Sequence, residues 1–167
     1  MEWPNLSAPW RSTYIKSVSP EGEPNCFLCA AWQSRDERAS LIVHRHRSAM
    51  MVMNLYPYTT GHLMVTPGRH LGDLPDLLTE ERADLMELIV LAEKLIHAVL
   101  NPQGINIGLN IGRAAGAGLP GHVHAHLVPR WGGDTNFMTT IGQVRVIPAA
   151  LEQTYAEFLA ALPKLLS

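Results

Sequence analysis

Three histidines spaced two residues apart, His122, His124 and His126, are the residues of this chain best suited to do chemistry. In an extended segment side chains alternate, so the spacing predicts all three on one face, neighbours roughly 6.5–7 Å apart. Val123, Ala125 and Leu127 would take the other face and pack inward. A row of imidazoles can ligate a metal, bind an anion, or work as nucleophile and acid–base. One strand histidine is as easily a solvated polar residue; three in alternation fit that reading poorly. The run Gly112-Arg113-Ala114-Ala115-Gly116-Ala117-Gly118 stands just upstream. It is small and flexible, and its backbone N–H groups can approach a phosphate closely.

The second chemical feature is the pair Cys26 and Cys29, the only cysteines in the sequence. Their spacing is half of a tetrahedral zinc site, and it also fits a redox pair or two inert buried thiols. His44 and His46 alternate with Arg45 and Arg47 and read as an exposed strand end or loop. His97 falls inside a long helical pattern as a boundary or surface residue.

These groups need a frame. A chain of 167 residues, 47% of them hydrophobic, suits one domain with one core. Residues 1–25 are rich in Pro, Ser, Trp and Asn and read as an irregular arm packing by Trp3, Trp10 and Tyr14. Cys26 to Cys29 opens a turn or short helix, and Arg35 to Arg38 is a loop. Leu41–Val43, Met50–Leu55 and His62–Thr66 read as strands, the last two separated by the turn chemistry of Tyr56 to Gly61. Thr79 is the expected N-cap of a long helix, with Glu80 and Glu81 in its first turn. Leu85, Leu88, Ile89, Ala92, Leu95, Ile96 and Val99 give that helix one apolar face, and Asn101-Pro102 stops it. Alternation predicts two further strands, Gly104–Gly112 and His122–Pro129, with Val144–Val146 a short extra one, and Ala149–Leu166 a terminal helix. The order β, β, β, α, β, β, α is that of an α+β domain with a mostly antiparallel sheet of about five strands. Residues 26–147 would form this domain, with 148–167 a helix packed on it.

Charge and hydropathy narrow the partners. The formal charge is −2, from 13 basic and 15 acidic residues, with no long block of either sign. A nucleic-acid grip driven by bulk charge is not expected, whereas a small anionic ligand needs only a few local donors. Glu87, Glu93, Lys94 and His97 interrupt the most apolar long segment, so no membrane span is expected. Met1 to Asn5 carries no leader pattern, and the cysteine usage is not that of a secreted disulfide framework, so the expected compartment is the cytoplasm.

The run from Gly121 to Arg130 resembles the histidine-triad (HIT) signature, His-x-His-x-His followed by two apolar residues. The likeness extends to Asn54–Pro67 and Gly108-Leu109-Asn110, and so covers roughly residues 26–147. Arg130-Trp131-Gly132-Gly133-Asp134-Thr135-Asn136-Phe137 is similar to the branch holding bacterial diadenosine tetraphosphate phosphorylases, also called ATP adenylyltransferases. The resemblance implies a HIT-like fold and a homodimer that joins two sheets. It implies that His124 is the nucleophile on the α-phosphorus, forming a nucleotidyl-histidine, with His126 and His62 lining the phosphate site. Asn54 would contact the ribose; Asn110 and the backbone at Gly116, Gly118 and Leu119 would hold the phosphate and leaving group. Many family members carry serine or glutamine in that loop; Gly116-Ala117-Gly118-Leu119 offers backbone N–H groups alone. A structural zinc held by Cys26, Cys29, His70 and His122 is the implied metal. The implied reaction is phosphorolysis of diadenosine tetraphosphate to ATP and ADP. Hydrolysis of such dinucleotides or of nucleoside phosphoramidates is the alternative, differing in whether phosphate or water attacks nucleotidyl-His124. A nucleotide-binding scaffold is the non-enzymatic alternative, and the middle histidine speaks against it, since binding alone does not require a nucleophile.

Overall fold

The computed structural model describes residues 26–134 and 150–166. The expected arm, the Val144–Val146 strand and Phe137 lie outside those residues.

The described residues open with a seven-residue helix, α1 (Phe27–Gln33), whose N-cap is Cys26. Three strands follow, β1 (Ile42–His46), β2 (Ala49–Met53) and β3 (Leu63–Pro67). Helix α2 (Thr79–Leu100) leads to β4 (Gly104–Leu109) and β5 (Ala125–Arg130). Helices α3 (Leu151–Ala161) and α4 (Pro163–Leu166) complete the described chain. The strands form one sheet in the order β1-β2-β3-β5-β4, every neighbouring pair antiparallel. The expected α+β class and strand number hold.

The core lies between this sheet and α2. Leu88, Leu95 and Ile96 are fully buried, and α2 packs across β2, β3 and β5. Burying each such side chain contributes roughly 1.5–3 kcal/mol. The helix begins one residue from the expected cap: Leu78 is the N-cap, and its N–H donates to Glu81 at 2.8 Å. Asn101 ends it in the left-handed region, φ 44°. The expected terminal helix is broken where Pro163 supplies no N–H. Tyr155 of α3 is buried and donates its hydroxyl to the carbonyl of Ile42 at 2.8 Å, tying α3 to β1.

Two boundaries differ in ways that matter for the site. β1 runs on to His46, so His44 and His46 are partly buried strand residues, and burial pushes the His44 imidazole below its ordinary value. β5 begins at Ala125, not His122. Its ladder with β3 ends at the pair Val65–Ala125, leaving His122, Val123 and His124 before the strand.

Candidate functional site

Because His122, Val123 and His124 lie outside the ladder, the neighbouring loops must hold them. The Thr66 hydroxyl donates to the carbonyl of Val123 at 2.9 Å, and the Val123 N–H donates to the carbonyl of Leu71 at 2.7 Å. Gly72 is the point of closest approach: a Cβ there would lie 2.5 Å from the carbonyl oxygen of Pro120. The segment after β3 thus presses directly on the segment that delivers the histidines.

His122, His124 and His62 are buried and His126 is partly buried. His124 Nδ1 donates to the carbonyl oxygen of His122 at 2.7 Å. A neutral imidazole protonated at Nδ1 carries its lone pair on Nε2. The Tyr58 backbone N–H, which can only donate, bonds His62 Nδ1 at 3.2 Å; the Asn54 amide nitrogen lies 3.4 Å from the same atom. In its neutral form His62 therefore holds its proton on Nε2 and directs it at His126 Nδ1, 2.9 Å away. His126 in turn carries its own proton on Nε2. These tautomers are assigned from the partners. The rings of His124 and His126 meet edge-on with centroids 4.9 Å apart, and Tyr58 stacks on His62 at 4.6 Å. The cluster thus combines a ring whose lone pair is on Nε2 with a ring whose proton is on Nε2.

His122 belongs to a different group. Its Nδ1 lies 3.2 Å from Cys26 Sγ and 3.5 Å from Cys29 Sγ, and His70 Nδ1 lies 3.3 Å from Cys29 Sγ. All four ligand atoms fall within 4.8 Å of one another. Zinc bonded to sulfur at about 2.3 Å and nitrogen at about 2.0 Å in a tetrahedron separates S and N by roughly 3.5 Å. The donor set and its spacing therefore fit that ion. His122 Nε2 donates to the Pro67 carbonyl at 2.8 Å, which leaves Nδ1 as the lone-pair atom facing the sulfurs, the outer support usual for ligating imidazoles. Without a metal, burial pushes the Cys26 thiol up to about 11, so loading must displace a thiol proton.

The other expected residues fall around this pair of centres. Asn54 directly follows β2 beside His62, and its Oδ1 accepts the Tyr56 N–H at 2.9 Å. Asn110 directly follows β4, whose last residue, Leu109, pairs with Ala125 between His124 and His126. In the glycine-rich loop, the Gly116 N–H is committed to the Arg113 carbonyl at 2.9 Å, with Gly116 left-handed at φ 87°. The next N–H, that of Ala117, is turned back to the Gly112 carbonyl at 3.4 Å. His97 is exposed in the last turn of α2. Neither His44 nor His46 joins a metal-ligating group among the described residues. Trp131 sits in a turn closed by the Arg130–Asp134 ion pair, 2.6 Å.

Sequence reasoning passed over Tyr58, Thr66 and Arg45. Thr66 carried a signal, a hydroxyl at the end of the apolar run Leu63-Met64-Val65, which must find a partner once buried. Tyr58 acts through its backbone N–H, which residue type does not encode.

Comparison with known proteins bears on these centres. Residues 35–133 match the family model of the HIT domain. The chain is 43% identical over 155 residues to a Mycobacterium tuberculosis AP-4-A phosphorylase, covering 89% of this chain and 79% of that protein. It is 34% identical over 91 residues to the asymmetrical bis(5'-nucleosyl)-tetraphosphatase of Schizosaccharomyces pombe, covering 54% of this chain and 50% of that protein. Among solved structures, a Zn-bound histidine triad family protein from Mycobacterium smegmatis superimposes with a TM-score of 0.68 at 27% identity, covering 86% of this chain and 97% of its own.

Proposed function

Since the chain belongs to the histidine-triad (HIT) family, we propose that it transfers nucleotidyl groups from dinucleoside polyphosphates through a covalent nucleotidyl-histidine. The preferred reaction is phosphorolysis of diadenosine tetraphosphate. The observation that carries this reading is the hydrogen bond from His124 Nδ1 to the His122 carbonyl, which puts the His124 lone pair on Nε2, in a ring that meets the His126 ring edge-on. His124 Nε2 attacks the α-phosphorus; the N–P bond forms as the bridging P–O bond breaks and ATP departs. His126, polarised by His62, donates to a phosphoryl oxygen and stabilises the charge that grows there. Gly118 and Leu119 N–H and the Asn110 side chain hold the phosphates, and Asn54 the ribose. In the second step an oxygen of inorganic phosphate attacks the same phosphorus, the N–P bond breaks, and ADP leaves. Splitting one hard displacement into two is the gain from covalent catalysis.

The relative named AP-4-A phosphorylase favours phosphate over water as the second nucleophile. Incubating the protein with diadenosine tetraphosphate, with and without inorganic phosphate, tests this. ADP formed only with phosphate is the expected result; AMP and ATP formed equally without it would reassign the reaction to hydrolysis.

Cys26, Cys29, His70 and His122 would hold a zinc ion, supported by their spacing and by the Zn-bound M. smegmatis relative. The ion would supply structural cross-linking of α1, the loop after β3 and the segment before β5. The working form we infer is a homodimer. Among the described residues β4 is a sheet edge, and Ile107, Leu109 and Ile111 on and just beyond it are exposed. An apolar unpaired edge is a surface that natural proteins cover, and a second copy pairing edge to edge would do so. Sedimentation of the purified chain is expected to give twice the monomer mass, and Ile107→Lys a monomer. No described helix is long and apolar enough to cross a membrane; two unbridged cysteines support a cytoplasmic setting.

A further inference from the structure

Helix α1 brings Cys26 and Cys29 to the metal centre, yet it has only seven residues. A helix this short does not hold itself in water, so its placement must come from outside. Leu28 and Ala31 are buried beneath it. At its C-terminal end a single side chain from β1 gathers three carbonyls, one of which, that of Ala31, also accepts the Ser34 N–H. Arg45 Nη1 donates to the Trp32 carbonyl at 2.8 Å; Nη2 donates to those of Ala31 and Ser34, each at 3.0 Å. Its Nε reaches Glu37 at 3.1 Å, and the guanidinium carbon stands 5.2 Å from the centre of the Trp32 ring. A cation at a helix C-terminus is favourable on dipole grounds, and the planar fork matches three carbonyls in a way an ammonium does not.

Trp32 carries this grip onward. Its indole lies against Gly68, where any Cβ would overlap the ring. Gly68 follows Pro67, whose carbonyl accepts His122 Nε2, and stands two residues before His70. Arg45, α1 and both histidine ligands are thus joined by contiguous contacts. We propose that Arg45 is a positioning residue for the metal centre, holding α1 so that Cys26 and Cys29 meet His70 and His122 in ligating geometry. The proposal rests on the metal reading above.

Zinc affinity, measured by competition with a chromogenic chelator, tests it. Arg45→Ala is expected to weaken zinc binding about 10- to 100-fold, the usual loss when a ligand's outer support is removed. Arg45→Lys falls between that variant and wild type and serves where the alanine variant does not accumulate. At saturating cobalt the visible bands of tetrahedral sulfur–nitrogen coordination are expected to weaken per bound ion in both variants, whereas a loss of general stability lowers only the amount of cobalt bound. Arg47→Ala is the control: Arg47 lies on the same hairpin but pairs with Asp84 of α2, at 3.4 Å, and its zinc affinity should match wild type. Wild-type affinity in the Arg45 variants, or an equal loss in Arg47→Ala, would overturn the proposal. Wild-type protein that takes up no zinc would instead refute the metal reading on which it stands.

Discussion

Replacing His124 by alanine is expected to lower turnover of diadenosine tetraphosphate by roughly four to six orders of magnitude, the scale on which a covalent nucleophile contributes. The variant loses the ring bonded at Nδ1 to the His122 carbonyl, and with it the lone pair on Nε2. His126→Ala should cost less, about 10²–10³-fold, as expected of a group that stabilises charge without forming a bond to phosphorus. Stability should fall by only about 1–3 kcal/mol in His124→Ala, the cost of leaving the buried His122 carbonyl without its donor. Steady-state rates and intact-mass spectrometry check the result. The adenylyl adduct should appear on wild-type protein mixed with substrate and be absent from His124→Ala. A His124→Ala enzyme that turns over at the wild-type rate would end the covalent mechanism.

The second large effect is expected from the proposed zinc site of Cys26, Cys29, His70 and His122. Stripping zinc with a chelator, or replacing Cys26 by serine, should lower the melting temperature by roughly 10 °C. An ion present at about a thousand times its dissociation constant stabilises by about 4 kcal/mol, and each kcal/mol moves a chain of this size by roughly 2–4 °C. Activity should fall with it, by about 10- to 100-fold. The reason is geometric. His122 contributes its ring to the cysteine group and its carbonyl to His124, so loosening the ring loosens the acceptor that orients His124. Zinc added back to the stripped wild-type protein should restore both properties. His124→Ala should bind zinc as wild type does and be inactive, which separates the two jobs. An unchanged melting temperature and rate after complete removal of the metal would refute the coupling.

Periodicity carried much of the fold. The apolar positions from Leu85 to Val99 recur at helical spacing, and α2 forms there because no proline or glycine interrupts them. The five strands were visible as short apolar runs between turn residues, though their ends moved by one to several positions. Ladder ends depend on which strand lies opposite, and β3 stops pairing with β5 at Ala125. The reading of His122 to Pro129 as one continuous strand failed for that reason.

The residue types of the site, the histidine row and the cysteine pair, stood in the chain order, since those chemistries belong to few side chains. Their division into two centres did not. Cys26 and His122 are 96 positions apart, yet their ligand atoms lie 3.2 Å from each other. Which nitrogen of each imidazole carries a proton follows from backbone groups of Tyr58, Pro67 and His122. Backbone groups are the same at every residue, so no pattern of side chains announces them. Three histidines in alternation were legible as a reactive row from residue chemistry alone. That the first turns to the cysteines while its carbonyl aims the second arises from folding, which packs the loop after β3 against the segment before β5.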